Sequence, residues 1–223
     1  TWQALIPPHQ DGTIVAYYVS LMDINGFESG VLPIASNILP QHNANLPFYI
    51  MVGYEMVAQE DFDFNFGFWQ TGDVNDNAST GLWDIDVPIA SYAEPFSLSG
   101  IVQTGSQNTP GGSVCAFTGN ASSIMDGIGT NDVDGGHTTL FSPYYDLSNY
   151  TNPAFSYHRW YTNSPPSGAN PGADWWQVMI TDDLVNWHYV ENNKSSDISW
   201  RKFAFRVLDY DNHNNTNQNK FIA

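Results

Sequence analysis

Side chains that are hydrophobic at every second position recur in several stretches of the sequence, and this period limits the chain to one class of fold. The stretches cover residues 13–22, 152–161, 175–180 and 200–208. A period of two is typical of a β-strand with one buried face, whereas a helix repeats about every 3.6 residues. No stretch of ten or more residues has the helical period. The sequence therefore predicts an all-β protein.

Turn-forming residues separate these predicted strands. Residues 23–26 and 165–168 are rich in Asp, Asn, Gly, Pro and Ser, which favour turns. Hydrophobic residues make up 42% of the chain and aromatic residues 15%, which is enough to fill a core between two sheets. Many short strands of this kind indicate a β-sandwich or a jelly roll.

Two adjacent tryptophans lie in one of the predicted strands, and they must point to opposite faces. Trp176 shares its face with Val178 and Ile180, so we expect Trp176 in the core. Trp175 is then left on the outer face. An exposed aromatic ring can stack on a sugar, so Trp175 is the candidate residue if the chain binds carbohydrate.

A change in composition near residues 54–66 divides the chain. Before it, strands are predicted at about residues 2–6, 13–22 and 46–53. After it comes an acidic and aromatic stretch. We place a domain boundary at about residue 55, which gives a first domain at 1–55 and a second at 60–223.

The charge of the chain is strongly negative and unevenly distributed. The formal net charge is −17. All six basic residues follow position 158: Arg159, Lys194, Arg201, Lys202, Arg206 and Lys220. Nucleic acids and anionic lipids are bound through cationic side chains, so we expect no nucleic-acid partner. No apolar run approaches the roughly 20 residues of a membrane helix, so we expect no membrane insertion.

A short acidic loop at 132–136 is the sharpest chemical feature of the sequence. Asp132 and Asp134 are two residues apart, and Gly135 and Gly136 allow a tight turn. Carboxylate and carbonyl oxygens suit Ca²⁺, which takes six to eight oxygen ligands. The loop is not an EF-hand, because its twelfth position is Pro143. A solvated acidic turn without a metal is the alternative interpretation.

No motif of an enzyme is found. His188 and Glu191 have the spacing of a zinc-binding pair, but catalytic zinc needs three protein ligands, so a surface histidine on a strand is the preferred interpretation. The sequence has no nucleophile elbow and no phosphate-binding loop. The single cysteine, Cys115, is expected to be a small buried hydrophobic residue. We therefore expect a protein that is not an enzyme.

Several ordered motifs resemble the concanavalin A-like jelly-roll domain, which is related to MAM domains. They are residues 75–83 (NDNASTGLW), 115–120 (CAFTGN), 132–143 (DVDGGHTTLFSP), 146–148 (DLS), 155–161 (FSYHRWY), 170–174 (NPGAD) and 205–207 (FRV). The resemblance covers roughly 60–223. Residues 1–53 more weakly resemble the C-terminal half of an immunoglobulin or fibronectin-like domain, which often precedes the jelly roll.

The resemblance implies a non-catalytic accessory module. Such domains occur in secreted bacterial metallopeptidases, of the immune inhibitor A-like and zinc-carboxypeptidase-like kinds, and in cell-surface proteins. A secreted or cell-surface location and contact with neighbouring domains of a larger parent protein are therefore expected. The resemblance also implies calcium at the 132–136 loop. Asp76 matches an acidic position of the family, and Asn131 and Gly136 complete the candidate ligand set with Asp132 and Asp134.

The last strand of the family is also expected to be missing. In the family, a segment resembling residues 220–223 continues into a further acidic strand, so an edge here is either missing or filled by another polypeptide. Two alternative functions stay open. One is a carbohydrate-binding module that uses Trp175 on a polysaccharide. The other is a structural subunit of an extracellular filament or adhesin, joined by strand complementation from a neighbouring chain.

Overall fold

The chain folds into strands and loops, which confirms the prediction of an all-β protein. The computed structural model describes residues 3–26, 28–32, 46–64, 67–163, 170–210 and 216–222. Within these residues, helix is limited to two short 3₁₀ turns, Ile128–Thr130 and Val207–Asp209. None of the described helices is long and apolar enough to cross a bilayer.

Fifteen strands are formed by the described residues. In chain order they are β1 (Thr13–Tyr17), β2 (Val19–Met22), β3 (Glu28–Leu32), β4 (Phe48–Val52), β5 (Gln70–Thr71), β6 (Trp83–Asp86), β7 (Ser91–Glu94), β8 (Ser99–Gln103), β9 (Cys115–Thr118), β10 (Thr139–Asp146), β11 (Ala154–Tyr161), β12 (Trp176–Thr181), β13 (His188–Asn193), β14 (Asp197–Arg206) and β15 (Thr216–Ile222).

The largest sheet has five strands in the order β13-β12-β15-β10-β5, and its neighbouring strands are antiparallel. The strand β15 lies between β10 and β12, so Ile222 is opposite Thr139 on one side and Gln177 on the other. Residues 220–222 therefore have strand neighbours on both sides. The other described strands form antiparallel pairs: β1–β4, β2–β3, β6–β9, β7–β8 and β11–β14.

The core brings together residues of the five-stranded sheet and of the β14 segment. Trp176 is 5% exposed, and Val178 and Ile180 are fully buried, as the alternation predicts. Phe205 of β14 and Val207, directly after it, belong to the same buried cluster. Burying large apolar side chains of this kind stabilises a fold by roughly 1.5–3 kcal/mol each.

Two predictions about the N-terminal strands are corrected by the structure. The alternating stretch at 13–22 is two strands, because β1 pairs with β4 and β2 pairs with β3. The strand predicted at about 2–6 is wrong for its described residues 3–6, which form none. Pro7 and Pro8 follow directly, and proline lacks the N–H that a strand ladder needs.

One predicted turn is confirmed and the other cannot be placed. At 23–26, the Gly26 amide donates to the Asp23 carbonyl over 3.1 Å. The turn predicted at 165–168 lies outside the described residues.

Contacts cross the domain boundary predicted at residue 55. The Tyr49 ring of β4 lies 4.9 Å from the Phe203 ring of β14, measured between centroids. The Asn152 side chain donates to the Gly12 carbonyl over 3.0 Å. The β1–β4 pair therefore packs directly on the β11–β14 pair, and the division into two domains stays a prediction.

Candidate cation site and aromatic cleft

The acidic loop at 132–136 is held in place by the segment that precedes β6. The Ser79 amide donates to the Asp134 carbonyl over 2.7 Å, and the Thr80 hydroxyl donates to the Asp132 carbonyl over 3.1 Å. These bonds use the loop's backbone oxygens and leave the carboxylates of Asp132 and Asp134 on its exposed side. The loop therefore presents its side-chain oxygens on a fixed backbone.

Gly81 allows this close approach of two segments. Its φ angle is +65°, in the left-handed region that favours glycine. A Cβ atom at this position would collide with the Asp132 carbonyl and with Cα of Val133. Only glycine therefore fits beneath the loop.

Three carboxylates affect one another at this loop. Burial raises the pKa of Asp132, and the nearby carboxylates of Asp134 and Asp174 raise it further. Burial also raises the pKa of Asp174, as does Asp134, while the Lys194 ammonium lowers it. Asp174 lies just before β12, about 40 residues from the loop. The three acids are thus close enough to repel one another when ionised.

Asn131 adds a buried oxygen beside these carboxylates. It is 8% exposed, and its side-chain N–H donates to the Gly119 carbonyl over 2.9 Å. Its Oδ1 atom has no hydrogen-bond partner among the described residues. A buried acceptor left unpaired costs about 1–3 kcal/mol. Asn131, Asp132 and Asp174 all line the same cleft.

The Asp76 carboxylate is used elsewhere. Its Oδ2 accepts hydrogen bonds from the amides of Thr139 and Asp73 over 2.8 and 2.9 Å. Its Oδ1 accepts from the Thr139 hydroxyl over 2.7 Å and lies 3.7 Å from Nε2 of His137. Asp76 therefore fixes the start of β10 in this structure.

Of the predicted ligands, Asn131, Asp132 and Asp134 lie in or directly before one loop, and Asp174 lies near them in the folded chain. Asp76 instead binds Thr139 at the start of β10. Gly136 lies against the Asn77 side chain at the far end of that loop. As they stand, no three His, Cys, Asp or Glu side chains among the described residues are grouped closely enough to hold a metal ion.

Sequence reasoning missed Asp174 as a member of this cluster. Its spacing from the loop carries no local signal, since the two segments meet only in the folded chain. The one available signal was the motif at 170–174, which contains this aspartate.

A large cleft, called here the aromatic cleft, opens next to the loop. Its volume is about 1400 Å³, and both β9 and β11 line it along their whole length. Its aromatic lining comes from several strands and includes Trp69, Trp83, Tyr145, Tyr157, Tyr161 and Trp176. Asp132 and Asp174 lie at the border of this cleft. The site therefore combines an apolar interior with acidic groups.

Trp175 lies directly before β12 and is exposed, as the alternation predicts. It is 50% exposed, whereas Trp176 is buried. The Lys194 ammonium lies 4.8 Å from the centroid of the Trp175 ring, in a cation–π contact. Trp175 also lines the aromatic cleft, so its ring is accessible to a ligand there.

A buried ion pair joins β11 to β13. Arg159 and Glu191 are 4% and 3% exposed, and Arg159 Nη2 lies 3.1 Å from Glu191 Oε2. The Glu191 carboxylate also accepts hydrogen bonds from the Tyr157 hydroxyl and from Trp176 Nε1. These bonds tie β11 to β12 and β13 through one carboxylate, which gives Glu191 a structural role.

The surface interpretation of His188 is confirmed, because its side chain is exposed while Glu191 is buried. The expected burial of Cys115 is also confirmed. Burial raises the pKa of the Cys115 thiol to about 12, and the Asp63 carboxylate contributes. A thiol with this pKa stays protonated at neutral pH and is a poor nucleophile.

Comparison with known proteins found no matching protein family, no matching curated protein and no matching solved structure. The resemblance to the concanavalin A-like jelly roll therefore rests on the sequence motifs alone and stays a prediction.

Proposed function

We propose that this chain is a calcium-stabilised, non-catalytic interaction module of a larger secreted or cell-surface bacterial protein. The observation that carries the proposal is the unpartnered, buried Oδ1 atom of Asn131 beside Asp132, with Asp134 and Asp174 nearby. The non-catalytic role and the extracellular location rest on the resemblance of the sequence motifs.

The chemistry of these side chains suits calcium. All four offer oxygen atoms, and Ca²⁺ accepts carboxylate oxygens, amide oxygens and water together. The Lys194 ammonium is the one described cation that acts on Asp174, so much of the acidic charge is left unbalanced. A bound Ca²⁺ ion neutralises this repulsion and pairs the Asn131 oxygen. Small adjustments of the exposed Asp132 and Asp134 side chains bring them to the ion.

The aromatic cleft supports the role in interaction. Clefts that combine an apolar lining with a few polar groups are typical of binding sites. The acidic loop borders the cleft through Asp132. Calcium at the loop therefore stabilises one border of the binding surface.

Calcium is expected to raise the melting temperature of the chain by roughly 5–10 °C relative to EDTA, since a ligand at about 100 times its Kd adds about 2.7 kcal/mol. Asp132→Asn and Asp174→Asn should each remove most of this increase. Asp86→Asn, on the exposed face of β6, is the matched control and should retain it. Differential scanning calorimetry with Ca²⁺ and with EDTA provides the measurement.

Asp76→Asn separates a structural carboxylate from a ligand. Because Asp76 binds Thr139, this variant should melt at a lower temperature in both buffers yet keep the calcium-dependent increase. If the Asp76→Asn variant loses the increase, Asp76 is a ligand as the resemblance implies. Identical melting of the unaltered chain in Ca²⁺ and EDTA contradicts the calcium site.

A carbohydrate-binding module is the second candidate, favoured by the exposed ring of Trp175 beside the cleft. Trp175→Ala should weaken binding to a polysaccharide by about tenfold, because ring stacking on the sugar is lost. Tyr189→Ala removes an exposed aromatic ring from β13 and serves as the control. Affinity electrophoresis over a broad polysaccharide panel tests this, and the absence of any retardation contradicts it.

A further inference from the structure

Two strands leave a backbone edge open toward the aromatic cleft. Among the described strands, β9 pairs with β6 alone and β11 pairs with β14 alone. Every residue of β9 and every residue of β11 lines the cleft. An open strand edge presents N–H and C=O groups that can pair with another strand.

The first residues of β9 and β11 lie at the same end of the cleft. The Phe155 ring of β11 is 5.1 Å from the Tyr145 ring, and Glu60 is near enough to Tyr145 to affect its ionisation. Three residues after Glu60, the Asp63 carboxylate accepts hydrogen bonds from the Val114 amide, directly before β9. Residues 60–63 therefore lie near the starts of both β9 and β11.

The last residues of the two strands lie near Trp176 at the other end. Thr118 of β9 is opposite Trp83 in the β6–β9 register. The Trp83 ring is 6.4 Å from the Trp176 ring, which in turn is 5.5 Å from the Tyr161 ring of β11. β9 and β11 consequently run in the same direction along the cleft.

Two strands that run in the same direction, each with an unpaired edge, can be the two neighbours of one missing strand. In an antiparallel sheet, the two neighbours of any strand run parallel to each other. We propose that the aromatic cleft is a slot for one extended peptide segment of another protein, which pairs antiparallel with both β9 and β11. Because β11 has eight residues, the segment is about that long. This mode of recognition is β-strand addition.

Two buried donors in the slot support an inserted backbone. Nε1 of Trp83 and the hydroxyl of Tyr161 have no hydrogen-bond partner among the described residues, and both residues line the cleft. Rotation of these side chains toward the cleft would let carbonyl oxygens of an inserted strand accept from them. Buried donors of this kind are rarely left unpaired in folded proteins.

The lining of the slot defines the chemistry of its occupant. Aromatic side chains form its interior, so the residues of the segment that point inward are apolar and those between them are polar. Acidic side chains outnumber basic ones in its lining, with Glu55, Glu60, Asp61, Asp132 and Asp174 against Lys202 and Arg159, of which Arg159 is paired with Glu191. A segment with Lys or Arg at both ends complements these charges. The inference rests on the proposed role as an interaction module and is independent of calcium.

A synthetic peptide tests the slot directly. The full chain is titrated with acetyl-Lys-Val-Thr-Val-Thr-Val-Thr-Val-Lys-amide, in Ca²⁺ and in EDTA, and binding is followed by tryptophan fluorescence. We expect a Kd on the order of 10 µM. Hydrogen exchange should show slowed amides in both β9 and β11, because both edges gain hydrogen bonds. Replacing the central Thr of the peptide by Pro should weaken binding by about tenfold or more, since proline cannot donate to the ladder.

A charge-reversal variant adds a control within the protein. Glu55→Lys should weaken the Lys-ended peptide and strengthen a Glu-ended version, while Glu94→Lys on β7, away from the cleft, should change neither. The proposal is overturned if the Lys-ended peptide does not bind, if the Pro peptide binds equally well, or if a dimer of the chain already protects β9 and β11. A calcium-dependent melt without peptide binding defeats the slot alone, and the reverse result defeats the calcium site alone.

Discussion

Replacing Arg159 with methionine should lower the free energy of unfolding by about 3–5 kcal/mol, because it leaves the buried Glu191 carboxylate without its cation. The methionine fills part of the space of the arginine stem, so the loss is mainly electrostatic. Total stabilities of single domains are about 5–15 kcal/mol, so this loss is a large share. Urea unfolding monitored by tryptophan fluorescence measures it.

The double variant separates an unpaired charge from lost packing. Arg159→Met combined with Glu191→Leu removes both charges, and buried ion pairs replaced by apolar groups are often neutral in stability. We therefore expect the double variant to recover most of the loss seen with Arg159→Met. The Tyr157 hydroxyl and the Trp176 indole lose their acceptor in this variant, which limits the recovery. If the double variant is less stable than the single one, the unpaired charge is not the main cost, and the hydrogen bonds from Tyr157 and Trp176 to Glu191 outweigh it.

Gly81→Ala is expected to have the second large effect, a loss of roughly 2–4 kcal/mol. A left-handed φ costs an alanine about 1–2 kcal/mol. The remainder comes from collision of the new Cβ with the Asp132 carbonyl, a backbone atom that can move only with its loop. The same displacement should reduce the calcium-dependent rise in melting temperature, because it shifts the Asp132 and Asp134 carboxylates.

Gly111→Ala is the matched control for that experiment. Gly111 also has a left-handed φ, of +84°, but a Cβ there meets no atom within 4 Å. It should therefore cost only the backbone strain and leave the response to calcium unchanged. Calorimetry of both variants in Ca²⁺ and EDTA gives the comparison. Equal losses in the two variants contradict a tight contact between Gly81 and the loop.

The alternation of hydrophobic side chains predicted the central strands, because the buried face of a strand consists of residues two positions apart in the sequence. Residues 175–180 carry their three core positions in the pattern itself, and the structure buries them. Which strands pair with each other cannot be predicted from such a local pattern. The insertion of β15 between β10 and β12 joins residues about 80 positions apart in the chain, and no local period encodes it.

The ion pair between Arg159 and Glu191 shows the same limit for polar residues. In the predicted strand at 152–161, Arg159 shares its face with Phe155, Tyr157 and Tyr161, which indicates burial. Its partner Glu191 lies 32 residues away in the sequence. At the acidic loop, Asp132 and Asp134 could be predicted as ligands because they lie two residues apart, just before two glycines. Asp174 could not be found by spacing, and the hydrogen bonds that direct Asp76 toward Thr139 depend on the fold.

The central position of β15 also governs how the molecule can be made. A ribosome releases the chain from its N-terminus, so β10 and β12 emerge well before residues 216–222. Until those residues arrive, the edges that will hold β15 are exposed and able to pair with other chains. The sheet is therefore completed only after β15 has been synthesised. Strand pairings between residues so distant in sequence also form slowly. A newly made chain would benefit from a chaperone that shields these two edges.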